Sequence, residues 1–194
     1  METVNLLILD FDGTLADCKP LHQQAFRKAC TKVNNAIQYT DEEVEGMPTF
    51  GKIDYIKAKG YKFDETLLMD LKQEYTMNDL SKYVKFDQEL KDIFVRLSKK
   101  YKLAVCSNAT RKFVERSLKI QELDMFDPVC TATEHRAKPE VDMYYYAMYH
   151  YGVAPTQTVI FEDSPVGIQA ATSTTATVKQ VSNVEHLKRL LNEY

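Results

Sequence analysis

The chain has 194 residues, 44% of them hydrophobic and 27% charged, with a formal net charge of -3. That length buries a substantial core and fits one domain, or one domain carrying an insertion. The interspersed charges argue against duplex nucleic acid as a partner, and no stretch approaches the roughly 20 apolar residues of a membrane helix.

Val4 to Leu9 is a short run rich in Leu and Ile, the pattern of a central strand in a parallel sheet covered on both faces. No basic segment precedes it, so it reads as a strand rather than a signal peptide, and a cytoplasmic protein is expected. Cys18, Cys30, Cys106 and Cys130 show no CxxC spacing and are expected as free thiols.

From about Leu15 to Tyr83 the rhythm is helical, through PLHQQAFRKAC, DEEVEG, KIDYIKAKG and ETLLMDLKQEYTMNDLSKY, with Gly46, Gly51 and Gly60 read as helix ends or turns. Beyond it, helical patterns at Asp87 to Lys99, Lys112 to Leu118, Glu140 to Tyr151 and Pro165 to Ala171 alternate with apolar runs. Those runs are Leu103 to Cys106, the neighbourhood of Val129, Val159 to Phe161, and Thr177 to Val181. The alternation predicts an α/β fold, a Rossmann-like doubly wound parallel sheet built from residues 1–15 and 84–194. Residues 16–83 are expected to form an all-helical insertion after the first strand.

Four stretches carry candidate chemistry, each at the carboxyl end of a predicted strand, the edge along which open parallel sheets bind ligands. Asp10 and Asp12 stand two apart, so continued extended geometry would put both carboxylates on one face, and Gly13 lets the chain turn with backbone N–H groups facing an anion. Two such carboxylates repel, and Mg²⁺ would relieve them through oxygen ligands. Ser107 and Asn108, in CSNAT, offer a hydroxyl and an amide to a phosphoryl oxygen or a cap to the next helix. Lys138, in AKPE, precedes a proline expected to start a helix; alone it reads as either a solvated lysine or a functional one. Glu162 and Asp163 repeat the opening pattern and serve as metal ligands or helix caps.

With DFDGT at Asp10 to Thr14, SN at Ser107, KP at Lys138 and ED at Glu162 in this order, the chain resembles the haloacid dehalogenase superfamily. The block from Lys138 to Ala171 is similar to that family almost throughout, and DCKPLHQQAF resembles the start of the helical cap of its phosphoglucomutase-like branch. The resemblance implies a phosphatase acting on a small organic phosphate monoester, a sugar phosphate or a nucleotide. Asp10 would be the nucleophile and Asp12 the acid and base. Gly13, Ser107, Asn108 and Lys138 would bind the phosphate, and Asp10, Asp12 through its carbonyl, Glu162 and Asp163 would hold Mg²⁺. The cap would close over the substrate, with hinges near Leu15 to Asp17 and Tyr83 to Phe86, and a monomer or weak dimer is expected.

Departures bear on the substrate. The mutases of that branch flank a cap loop with a lysine and an arginine, where this chain has Glu45 and Thr49; His22 stands where they have a histidine, and a hydrolase is favoured over a sugar phosphomutase. GKIDYIKA, Gly51 to Ala58, is similar to the cap of phosphonoacetaldehyde hydrolases, in which Lys52 would form a Schiff base, but those enzymes lack the acid that Asp12 supplies here. His22, Thr49 and Lys52 thus remain candidate cap contacts to substrate, and Tyr39, Phe50, Tyr55 and Tyr61 either stack a base or fill the cap core. A third reading is a protein that binds and sequesters a phosphorylated metabolite or nucleotide without turnover. Finally, AATSTTATVKQV stands where the family usually has a glycine-containing turn.

Overall fold

The structure, a computed structural model, describes residues 3–44 and 47–194, and the chain divides into two compact units, Met1–Cys18 with Tyr83–Tyr194, and Lys19–Lys82. In the first, β1 (Leu6–Leu9), β2 (Lys102–Ser107), β3 (Val129–Thr131), β4 (Thr158–Glu162) and β5 (Thr177–Gln180) form a parallel sheet in the order β3-β2-β1-β4-β5. The central strand β1 is wholly buried and pairs with β2 on one side and β4 on the other, Leu9 standing opposite Val105 and Phe161.

The chain runs outward from β1 to β3 and then returns to the far side of β1 to lay down β4. Right-handed crossovers therefore place the helices of the outward run on one face and those of the return run on the other. On one face α6 (Asp142–Tyr151) and α7 (Pro165–Ser173) bury Met143, Tyr144, Ala147, Ala170 and Ala171 against Leu6, Ile8, Ala104, Cys106 and Ile160. The alternate strand residues Leu7, Leu9, Val105 and Phe161 are buried on the other face, the side of α4 (Gln88–Leu97), α5 (Arg111–Gln121) and α8 (Val184–Leu191). The sequence reading missed α8, although Asn183 caps it by accepting from His186 N–H and Leu187 and Leu191 lie buried at helical spacing.

One local expectation changes. The helix after Lys138 starts at Asp142, because 138–141 is a turn in which Glu140 N–H donates to the Ala137 carbonyl; the Lys138–Pro139 peptide is cis. The polar stretch after α7 is a turn in which Thr175 adopts φ 65, the left-handed region where a β-branched residue is strained. Thr175 is exposed, so Thr175→Gly should stabilise the protein by about 1 kcal/mol, read by urea unfolding. An unchanged or lower midpoint would refute that strain.

Among its described residues the regular elements of the second unit are all helical: α1 (Lys19–Val33), α2 (Thr49–Ala58), α3 (Glu65–Tyr83, whose last residue belongs to the first unit) and a short 3-10 turn at Glu42–Val44. Its core gathers Phe26, Ala29, Cys30, Ile53, Ile56 and Leu68, with Tyr39, Tyr55 and Tyr61 packed against them, whereas Phe50 is exposed. Gly51 lies in the first turn of α2 rather than at a helix end, Gly60 follows α2 with φ 91, and Gly46 is outside the described residues.

Candidate active site

The order of the strands reverses between β1 and β4, and at such a switch point the connections diverge and leave a crevice at the carboxyl edge. Asp10 leaves β1 there, its N–H donating to the Phe161 carbonyl of β4, while Glu162 ends β4 and Asp163 follows it. One carboxylate oxygen from each of Asp10, Glu162 and Asp163 lies within 4.8 Å of the others.

Beyond Asp10 the chain does not stay extended. A tight turn forms, in which Leu15 and Ala16 N–H both donate to the Phe11 carbonyl and Gly13 N–H donates to Ala16. The Asp12 carboxylate consequently leaves the acidic cluster and accepts from Cys18 N–H at 3.0 Å, so the expected shared face is replaced by a turn. Gly13 has φ 95, and a Cβ there would sit 2.1 Å from Asp163 Oδ2, so both backbone conformation and space require glycine. Gln121 of α5 anchors the same turn by donating from Nε2 to the Leu15 carbonyl at 2.9 Å.

Lys138 is not a surface lysine. Its side chain is 2% exposed, and Nζ donates to Asp10 Oδ1 at 2.6 Å and to Glu162 Oε2 at 3.4 Å, across 128 and 24 residues of sequence. Asn108 pins its main chain from both sides, accepting from Lys138 N–H at 2.7 Å through Oδ1 and donating from Nδ2 to the Lys138 carbonyl at 3.2 Å. The Asn108 side chain is therefore committed to Lys138, which leaves its backbone N–H for an anion. Ser107 ends β2, buried, with Oγ accepting from Ala109 N–H at 3.2 Å.

Glu162 has no exposure and sits at the start of α7, where Ser164 Oγ donates to its Oε1 at 2.8 Å and caps the helix by accepting from Gly167 N–H. Neither Ser164 nor Gly167 was singled out from sequence; a glycine inside the first turn of a helix is the signal that could have found the second. The proposed helical-unit residues belong to the second unit. His22 lies in α1 with Nδ1 3.5 Å from Lys72 Nζ, and Thr49 opens α2. Lys52 is half-buried, its Nζ 5.6 Å from the Phe26 ring centroid, and burial lowers its pKa. Glu45 lies outside the described residues.

Electrostatics set the acidic cluster against itself. Burial and the Asp10 charge push the Glu162 carboxyl up to about 8 and that of Asp163 up to about 7, and burial raises Asp10 also. Burial works against the Lys138 ammonium, but Asp10 and Glu162 outweigh it and hold its pKa well above the ordinary value. Three crowded carboxylates share one ammonium, and Asp163 Oδ1 is buried without a hydrogen-bond partner. Convergent oxygen donors with an orphaned buried oxygen fit a hard divalent cation.

A pH dependence follows. Between the ordinary carboxylate range and pH 7–8 the folded protein holds protons that the unfolded chain has released, so metal-free stability falls as pH rises through that window. A divalent cation favours the charged carboxylates, so Mg²⁺ should raise the thermal midpoint more at pH 8 than at pH 6, with EDTA reversing the gain. Equal gains at both pH values would mean that the cation binds elsewhere.

Comparison with known proteins bears on the family and the fold. Residues 7–181 match the family model described as haloacid dehalogenase-like hydrolase. The chain is 27% identical to the phosphorylated carbohydrates phosphatase of Thermotoga maritima, over 93% of this chain and 85% of that protein. It is 29% identical to the fructose-1-phosphate phosphatase YqaB of Escherichia coli, over 85% and 89%. The fold superposes on beta-phosphoglucomutase from Clostridium difficile with a TM-score of 0.71 at 19% identity, covering 99% of each chain.

Proposed function

Since the chain belongs to the haloacid dehalogenase-like hydrolase family, we propose that this hydrolase is a Mg²⁺-dependent phosphatase that cleaves a small phosphate monoester, with a phosphorylated sugar as the favoured substrate. The observation that carries the reading is the meeting of Asp10, Glu162 and Asp163 with a buried Lys138 at the β1/β4 switch point. The names of the Thermotoga and Escherichia relatives, both phosphatases of sugar-type substrates, support the substrate class.

Asp10 attacks the phosphorus, forming an aspartyl phosphate as the bond to the leaving oxygen breaks, and Asp12 gives that oxygen its proton. Asp12 then takes a proton from water, which attacks the aspartyl phosphate, frees inorganic phosphate and regenerates the Asp10 carboxylate. The turn that moves Asp12 off the acidic cluster suits these roles, because it separates the proton-transfer group from the nucleophile. Lys138, Ser107 and the backbone N–H of Asn108 orient the equatorial oxygens, where most of the work of phosphoryl transfer lies, whereas the Gly13 N–H, expected to face the anion, is taken by the Ala16 carbonyl. Asp10, Asp163, Glu162 and the Asp12 carbonyl are the groups that would hold Mg²⁺. When bound, it supplies positive charge that stabilises the transferring phosphoryl group.

The test is phosphate release from sugar phosphates, nucleotides and a chromogenic ester, with Mg²⁺ and with EDTA. Metal-dependent release supports the phosphatase. Tight binding of a panel member without release would replace it with a sequestering protein.

A further inference from the structure

We propose that Tyr144 is a positioning residue for Lys138, its ring fixing the ammonium that meets the transferring phosphoryl group; the inference rests on the phosphatase reading. An ammonium has three N–H donors. Two directions of Lys138 Nζ are taken by Asp10 and Glu162, and the Tyr144 ring lies with its centroid 5.4 Å from the same nitrogen. With the side chain 2% exposed, bulk water does not compete, which is the condition under which a cation–π contact is strongest.

The rest of Lys138 explains why such a support matters. Asn108 holds its main chain through two hydrogen bonds, but four flexible carbons separate that anchor from the charge. Without the ring, the stem is free to swing the ammonium deeper toward Glu162. Tyr144 is itself fixed from α6, fully buried among Leu6, Ile8, Cys106 and Ile160. Its hydroxyl is buried with no hydrogen-bond partner, so the ring carries the contact, and the phenolic oxygen adds nothing to it.

The test compares Tyr144→Phe with Tyr144→Leu in the full chain, by kcat and KM for p-nitrophenyl phosphate with Mg²⁺ and by urea unfolding. Tyr144→Phe keeps the ring and should hold kcat within about twofold, whereas Tyr144→Leu should lower kcat roughly tenfold with KM changed less than about threefold. If the ring only fills space, the folded Tyr144→Leu protein keeps wild-type kcat, and that result overturns the proposal. Equal damage from Phe and Leu overturns it too. Unfolding is also measured for Tyr144→Leu in a Lys138→Met background, where the loss of stability should shrink by about half or more. Additive losses would exclude the contact. This arm needs no turnover, so it judges Tyr144 even where absence of phosphate release from every ester has defeated the phosphatase reading alone.

Discussion

Asp10→Asn should reduce phosphate release by about a thousandfold or more while leaving the unfolding midpoint near that of the parent. The substitution is nearly isosteric, and the amide oxygen can still accept from Lys138 Nζ, which lies 2.6 Å from Asp10 Oδ1. It also removes one of three mutually repelling carboxylates, so the burial that raises the Asp10 pKa no longer opposes folding at neutral pH. What the amide lacks is a charged oxygen able to bond to phosphorus. Phosphate release and circular dichroism on the same preparation separate the two effects, and a variant keeping a tenth of the parent rate would remove Asp10 from the nucleophile's role.

Gly167→Ala is the second large effect, and its sign reverses the usual rule. In an ordinary helix the change gains roughly 1 kcal/mol by restricting the unfolded chain and improving helix propensity. Here a Cβ would fall 1.9 Å from Glu162 Oε1 and 2.1 Å from its Cδ. Glu162 cannot yield cheaply, since it is fully buried, accepts from Ser164 and faces Lys138. A loss of roughly 2 kcal/mol is expected from the overpacking, together with at least a tenfold fall in activity as the carboxylate is displaced. Gly51→Ala in α2 is the matched comparison: the nearest atoms to its added Cβ lie 3.5 Å away, so the ordinary gain should appear. Urea unfolding of both variants decides the matter, and stabilisation by Gly167→Ala would mean that Glu162 is not held where the structure puts it.

Much of the architecture is legible because apolar runs and turn residues are local signals. LLIL, LAVC and VIF read as buried strands, and the motif residues follow each directly, so their arrival at one edge of a parallel sheet follows from topology alone. The C-terminal helix escaped because its eight residues follow a short, partly exposed strand, which blurs the change of period. Lys138 was read two ways because a lysine before proline carries no sign of whether water reaches it. Thr175 stands where a glycine would have announced the left-handed turn that the backbone makes.

From the order of residues come the chemical groups and their placement at strand ends: Asp10, Ser107, Lys138, Glu162 and Asp163 are all visible without coordinates. Tertiary structure alone settles their states. Asp10 and Glu162 keep Lys138 charged against its burial, burial and the Asp10 charge lift the Glu162 and Asp163 pKa values, a tight turn takes the Asp12 carboxylate off the acidic cluster, and Glu162 finds room only where Gly167 lacks a side chain. Charge and packing act through space, whereas composition and periodicity report only what lies along the chain.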